Sequence, residues 1–241
     1  MRLTDFSALT FDCYGTLIDW ETGIFTALQP LLTRVGSRLS RDMVLETFGQ
    51  HGSRLEAANP TLRYSDLLAR LHGELAVVWQ VAPNEAENRR FGASVGDWPA
   101  FADTVASLQY LRKYYKLVIL SNVDRESFRA TNRRLGVTFD AIYTAEDIGS
   151  YKPDPHNFVY LIEHLAAMGI ERPRILHTAE SLFHDHAPAN VAGLASAWIH
   201  RRHDKPGWGA TAAPSAGVHY DFRFTSLAEM VNAHQQELRS G

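Results

Sequence analysis

The chain has 241 residues, 45% of them hydrophobic, and a formal net charge of -3. This composition is typical of a soluble globular protein with one large or two small domains, and the near-neutral charge predicts neither a nucleic-acid nor a membrane partner. No apolar run is long enough to span a bilayer, the N-terminus lacks a signal-peptide pattern, and the single cysteine, Cys13, excludes an internal disulfide. We therefore expect a cytoplasmic protein.

Short apolar segments that alternate with helical patterns predict a parallel sheet. The predicted buried strands are, in chain order, "SALTFDCY", "YKLVILSN", "PRILHTAE" and "LASAWIHR". Helices are predicted at "PAFADTVASLQYLRKYY" and at "DPHNFVYLIEHLAAMG". The Gly/Ala/Pro-rich loop 207–220 precedes a last short strand, "DFRFTSL". The fold class that this order predicts is α/β, with a Rossmann-like parallel-sheet core.

The segment from Trp20 to about Trp98 differs from the rest of the chain. It carries helical periodicity, for example in "RDMVLETFGQ" and "YSDLLARLHGELAVVW", and contains no convincing strand. Because it interrupts the α/β pattern after the first strand, we interpret it as an inserted helical cap. The predicted domains are an α/β core at 1–19 and 98–241 and a cap at 20–97.

Polar side chains follow the predicted strands where each strand ends. Asp12 ends the first strand, Ser121 and Asn122 end the second, and Asp185 follows the third. The carboxyl ends of parallel strands meet at one edge of a sheet, so these residues should converge there. Ser121, Asn122 and Asp185 could instead cap the helices that follow them. Lys152 lies just before Pro153 and a predicted helix, where it could reach the same edge and keep a buried aspartate ionised.

Four motifs in this order, "DCYGTL", "LSN", "YKPDP" and "AESLFHD", resemble those of the haloacid dehalogenase superfamily. The tyrosine in "DCYGTL" and the helical insertion are most similar to the L-2-haloacid dehalogenase branch, also called type II. The resemblance implies a hydrolase in which an aspartate attacks a small organic acid and forms a covalent ester. It implies that Asp12 is the nucleophile, that Thr16, Ser121 and Lys152 position it, and that Asp185 positions Lys152 or the hydrolytic water.

The same resemblance implies a substrate-binding set. Tyr14 would line the pocket and Asn122 would help to hold the departing halide. The branch usually carries an arginine on the first cap helices, and the matching region here offers His51 or Arg54, of which we take His51 as the candidate. Phe158 stands where the branch has a tyrosine, so that hydroxyl group is lost.

Two alternatives follow from further departures. The fourth motif has Glu180 and Leu182 where the branch supplies serine and asparagine. A phosphatase of the same superfamily would hold Mg²⁺ with Asp12, Tyr14, Glu180 and Asp185, although Tyr14 replaces the usual acid. The other alternative is a non-catalytic small-molecule-binding protein on this fold. The dehalogenase prediction requires no cofactor, and the resemblance allows a homodimer.

Overall fold

The structure, a computed structural model, describes residues 1–240 of the chain. Within them, six strands form one sheet. The strands are β1 Ala8–Phe11, β2 Lys116–Ser121, β3 Ala141–Thr144, β4 Ile175–Ala179, β5 Ala195–Ile199 and β6 Phe222–Phe224. All neighbouring strands are parallel, and their spatial order is β3-β2-β1-β4-β5-β6. This sheet and its flanking helices confirm the predicted α/β Rossmann-like fold class.

Helices connect the strands. In chain order they are α1 Trp20–Ala27, α2 Gln29–Val35, α3 Arg41–Ala58, α4 Tyr64–Val78, α5 Glu85–Gly92, α6 Thr104–Leu111, α7 Arg125–Leu135, α8 Ala145–Ile148, α9 His156–Ala167, α10 Ala187–Val191 and α11 Leu227–Ser240. A turn of π-helix at Leu182–His186 follows β4. Within residues 1–240, no helix combines the length and apolar character needed to cross a membrane.

Five of the strands lie in the segments predicted from the sequence, whereas β3 was not predicted. β3 has four residues, pairs with one neighbour at the edge of the sheet, and has only its last residue buried. An edge strand of this length has neither the buried apolar run nor the clear alternation that identifies a strand in a sequence.

Helices α1 to α5 lie between β1 and β2 in the chain, in the segment predicted to be helical. Helix α3 begins after Ser40, whose hydroxyl group accepts a hydrogen bond from the backbone N–H of Met43. Helix α1 begins in the same way after Asp19. The cap boundaries at 19/20 and 97/98 stay a prediction.

The register of the sheet positions the candidate site. β1 lies between β2 and β4, and all four of its residues are buried, as expected for a strand with both faces covered. Phe11, the last residue of β1, pairs with Ile119 of β2 and Thr178 of β4. Asp12 therefore emerges at the carboxyl edge of the sheet, between the ends of β2 and β4.

Candidate active site

A buried lysine joins two aspartates at this edge. Lys152 Nζ donates to Asp12 Oδ1 at 3.0 Å, to Asp185 Oδ1 at 2.6 Å and to the backbone carbonyl of Leu120 at 2.9 Å. An ammonium group has three donor hydrogens, so these bonds use all of them. The three side chains are between 0% and 9% exposed. Lys152 is therefore no solvated surface residue, and three predicted site residues converge.

Burial and charge act in opposite directions on this group. Burial and the charge of Asp185 raise the pKa of Asp12, and the Lys152 ammonium and the Thr16 hydroxyl group only partly oppose that rise. Burial also raises the pKa of Asp185, but Lys152 and a hydrogen bond from His177 outweigh it and hold that pKa well below its usual range. Burial lowers the pKa of Lys152, and the two carboxylates more than compensate and raise it. Asp185 and Lys152 thus form a stable charged pair beside Asp12.

Thr16 links Asp12 to the end of β4. Its hydroxyl group donates to Asp12 Oδ2 at 2.7 Å and accepts from the backbone N–H of Glu180 at 2.8 Å. Both Thr16 and Asp12 are buried. The Thr16 hydroxyl group therefore connects the Asp12 carboxylate to the backbone at the end of β4.

Asn122 and Tyr14 line the cleft above Asp12, and their roles towards a substrate stay predictions. The Asn122 side chain bonds both ways with the backbone of Lys152: its Oδ1 accepts from the Lys152 N–H at 2.7 Å, and its Nδ2 donates to the carbonyl at 3.0 Å. The Tyr14 hydroxyl group contacts Thr131 Oγ1 at 2.8 Å, and its ring packs edge-on against Trp98. Tyr14 thus offers the cleft its ring, while its hydroxyl group is already engaged.

Two predicted residues lie differently from their expected roles. His51 is not among the residues that line the cleft, and its Nδ1 lies 3.7 Å from Glu74 on α4. The Ser121 hydroxyl group is buried and has no hydrogen-bond partner within residues 1–240, so it makes no bond to Asp12. The predicted substrate contact of His51 stays a prediction, and in this structure the His51 side chain lies towards Glu74 on α4. The helix after β2 is capped by Asp124 rather than by Ser121 or Asn122.

Glu180 does not join Asp12 and Asp185. Its Oε2 accepts from the Thr211 hydroxyl group at 2.9 Å, and the side chain lies beside Gly15 and Trp20 in a different pocket. No group of three or more His, Cys, Asp or Glu side chains that could hold a metal ion was found within residues 1–240. The predicted set of Asp12, Tyr14, Glu180 and Asp185 therefore does not converge, since the Glu180 carboxylate is turned towards Thr211.

Three residues of the site were not predicted to act in it. His177 on β4 bonds Asp185 Oδ1 at 2.9 Å through Nε2, and Thr10 at 2.8 Å through Nδ1. Glu56 on α3 and His184 in the π-helical turn both line the cleft. His177 is a polar residue within a predicted buried strand, and this position could have suggested its contact with Asp185. Glu56 reaches the cleft only because the cap docks on the core, and the sequence carries no signal for that.

The cleft itself is small and mostly apolar. Its volume of about 50 Å³ corresponds to room for roughly four water molecules. Aromatic and leucine side chains of α1, α3 and α4 form its cap side, namely Trp20, Phe48, Tyr64, Leu67, Leu68 and Leu71. Asp12, Lys152 and Asp185 form its floor. A small molecule bound here would lie between these apolar side chains and Asp12.

A parallel sheet that carries a paired aspartate, lysine and second aspartate at its carboxyl edge is suited to nucleophilic hydrolysis. The sequence profile of the haloacid dehalogenase-like hydrolases matches residues 6–197. The chain therefore belongs to the haloacid dehalogenase-like hydrolases. Among curated proteins, no sequence match was found.

Solved structures share the fold over nearly the whole chain. The L-2-haloacid dehalogenase PA0810 is 23% identical with a TM-score of 0.74, covering 98% of this chain and 100% of its own. The L-2-haloacid dehalogenase of Xanthobacter autotrophicus, solved with chloropropionic acid covalently bound, is 17% identical with a TM-score of 0.76, covering 95% and 98%. YfnB of Bacillus subtilis, solved with bound magnesium, is 17% identical with a TM-score of 0.75, covering 98% and 100%. At these identities the likeness establishes the fold alone.

Proposed function

We propose that this hydrolase uses Asp12 as its nucleophile and acts on a small organic acid, in the manner of a 2-haloacid dehalogenase. The observation that carries the proposal is that hydrogen bonds fix both oxygens of the Asp12 carboxylate in place. Thr16 binds one of its oxygens and Lys152 the other, at the floor of a small apolar cleft. A carboxylate fixed in this way can attack a carbon atom without first reorganising.

The reaction proceeds in two steps. An Asp12 oxygen forms a bond to the carbon that bears the leaving group, and the leaving group departs with the bonding electron pair. Water then attacks the Asp12 ester, which releases a hydroxy acid and restores the carboxylate. Asp185 lines this cleft. Its Oδ2 atom is buried and has no hydrogen-bond partner within residues 1–240. This free acceptor can receive a hydrogen bond from the attacking water.

Halide release from chloroacetate and 2-chloropropionate tests this function. We expect release by the natural protein and a loss of at least about 1000-fold in Asp12→Asn, because the amide is a very poor nucleophile. Asp19→Asn is the matched control, since asparagine can also cap α1. Intact-mass measurement must show that the introduced asparagine has not deamidated to aspartate. Full turnover by the Asp12→Asn variant would contradict the proposal.

Magnesium-dependent phosphatase activity is the second candidate. The same free oxygen of Asp185, close to Asp12 through their shared lysine, is the observation that favours it, because a hard cation prefers carboxylate oxygens. Calorimetric titration of Mg²⁺ into the protein tests it, with Asp185→Ala as the variant and Glu180→Ala as the control. Binding that is lost only in Asp185→Ala would favour this candidate, and phosphate esters would then replace haloacids as the substrates to screen.

A further inference from the structure

The cap brings an acid, rather than a cation, to the cleft. Glu56 lies near the end of α3 and lines the cleft together with Asp12 and Lys152. Its Oε2 lies 3.4 Å from Asn122 Nδ2 and 3.8 Å from His184 Nε2. Only 14% of its side chain is exposed. Glu56 therefore stands beside Asn122, the residue expected to hold the departing group.

The cleft has no free positive charge for that group. Within residues 1–240, Lys152 is the one lysine or arginine that lines the cleft, and its three N–H donors bind Asp12, Asp185 and Leu120. Arg54, on the same cap helix, pairs with Glu74 and is mostly exposed. A departing anion must therefore be stabilised by neutral hydrogen-bond donors. On the cap side of the cleft, the carboxyl group of Glu56 lies beside Asn122 and is the candidate for such a donor.

The surroundings of Glu56 favour its protonated form. Burial raises its pKa to about 8, and Lys152 and Asn122 only partly oppose the rise. The other titratable groups that face it are neutral at pH 7: burial lowers the pKa of His184 to about 4 and raises those of Tyr64 and Tyr151. A protonated carboxyl group is a hydrogen-bond donor, and an acid whose pKa lies near the working pH transfers protons efficiently.

We propose that Glu56 is a catalytic acid that gives its proton to the group displaced by Asp12. The inference rests on the proposed function. In the first step the Asp12 oxygen bonds to carbon, the bond from carbon to the leaving atom breaks, and the leaving atom takes the proton of Glu56. In the second step water attacks the carbonyl carbon of the Asp12 ester, and the bond from that carbon to the ester oxygen breaks. The oxygen of the water stays in the Asp12 carboxylate, one of its protons goes to the released hydroxy acid, and the other returns to Glu56. The preferred substrates are then organic acids whose leaving group is more basic than bromide, such as fluoride or an alkoxide, since bromide departs without a proton.

Release of fluoride from fluoroacetate and of bromide from bromoacetate at pH 7 tests this role. The variant is Glu56→Gln, which keeps the size of the side chain but has no transferable proton. Glu74→Gln, on the neighbouring helix and outside the cleft, is the control. We expect Glu56→Gln to lower the ratio of fluoride to bromide release about 100-fold, the scale of general acid catalysis, and the control to leave it unchanged. An unchanged ratio in Glu56→Gln would overturn the proposal.

Infrared difference spectra of the natural protein against Glu56→Gln at pH 7 give a readout that does not depend on turnover. We expect the variant to lose a carbonyl band of a protonated carboxyl group. Loss of a carboxylate band instead would overturn the proposal, whatever the kinetics. If the natural protein released neither halide, the proposed function would fail by itself, and the infrared spectra would still decide the protonation of Glu56 on which the proposal depends.

Discussion

Lys152 holds two carboxylates at once and is 1% exposed. Its replacement by methionine would leave Asp12 and Asp185 buried without a counter-ion. We expect Lys152→Met to lower the free energy of unfolding by about 3–5 kcal/mol, the usual cost of removing one partner of a buried ion pair. Asp12→Asn instead removes one of the two carboxylates that share one ammonium group. The free energy of unfolding of this variant should therefore be unchanged or higher. Urea unfolding at pH 7 measures both, and equal losses would contradict this account of the group.

Glu56 makes the stability of the protein depend on pH. Its pKa is about 8 in the folded chain against 4.5 for an unperturbed glutamate, so between these values the folded state binds more protons than the unfolded state. The contribution of Glu56 to the free energy of unfolding therefore falls as the pH rises through this window. We expect Glu56→Gln to be more stable than the natural protein, by a margin that grows by up to about 1.4 kcal/mol per pH unit from pH 4.5 to 8. Thermal or urea unfolding at pH 5, 6.5 and 8 measures the margin, and a constant margin would mean that Glu56 titrates normally.

At the scale of the elements, helix α3 is fitted closely to the loop that covers the cleft. A Cβ atom at Gly49 would lie 2.4 Å from the carbonyl oxygen of Ala210, whereas one at Gly52 would meet only Leu71 Cδ2 at 3.6 Å. Both glycines are in the helix interior, where alanine is favoured by about 1 kcal/mol. We expect Gly49→Ala to destabilise the protein by about 1–3 kcal/mol, because the backbone at Ala210 or in α3 must move to make room for the methyl group. We expect Gly52→Ala to stabilise the protein, because its methyl group has room. Denaturant unfolding of the pair tests the contact, and equal effects would show that α3 does not rest on Ala210.

Most of the sheet and the floor of the site could be predicted from the sequence for one reason. In a parallel sheet the strand ends share an edge, so locating the apolar segments was enough to bring Asp12 and Asp185 together. Lys152 follows the strand that was not predicted, and its expected place came from its position before Pro153 and from the "YKPDP" motif. The cap side could not be predicted in this way. Glu56 lines the cleft and His51 does not, because of the way α3 packs against α4 and the core. Helical periodicity does not encode that orientation.

At the scale of the whole molecule, a buried ion pair joins the first cap helix to the loop after β5. Arg202 Nη1 donates to both carboxylate oxygens of Glu21 on α1, at 2.8 and 2.6 Å, and the side chains are 7% and 10% exposed. Glu21 Oε1 also accepts from the backbone N–H of Ala210, which lines the cleft. This pair therefore fixes the loop over the site as well as the helix.

We expect Arg202→Met to lower the free energy of unfolding by about 3–5 kcal/mol, because it leaves the charge of Glu21 buried and unpaired. Adding Glu21→Gln should restore part of this loss, since glutamine is neutral and can still accept from Ala210. The exposed pair of Arg129 and Glu126 is the control, and Glu126→Gln there should cost no more than about 1 kcal/mol. Urea unfolding of the single and double variants gives the coupling energy. Additive effects at Arg202 and Glu21 would show that loop and helix are held together by packing, with the ion pair contributing little.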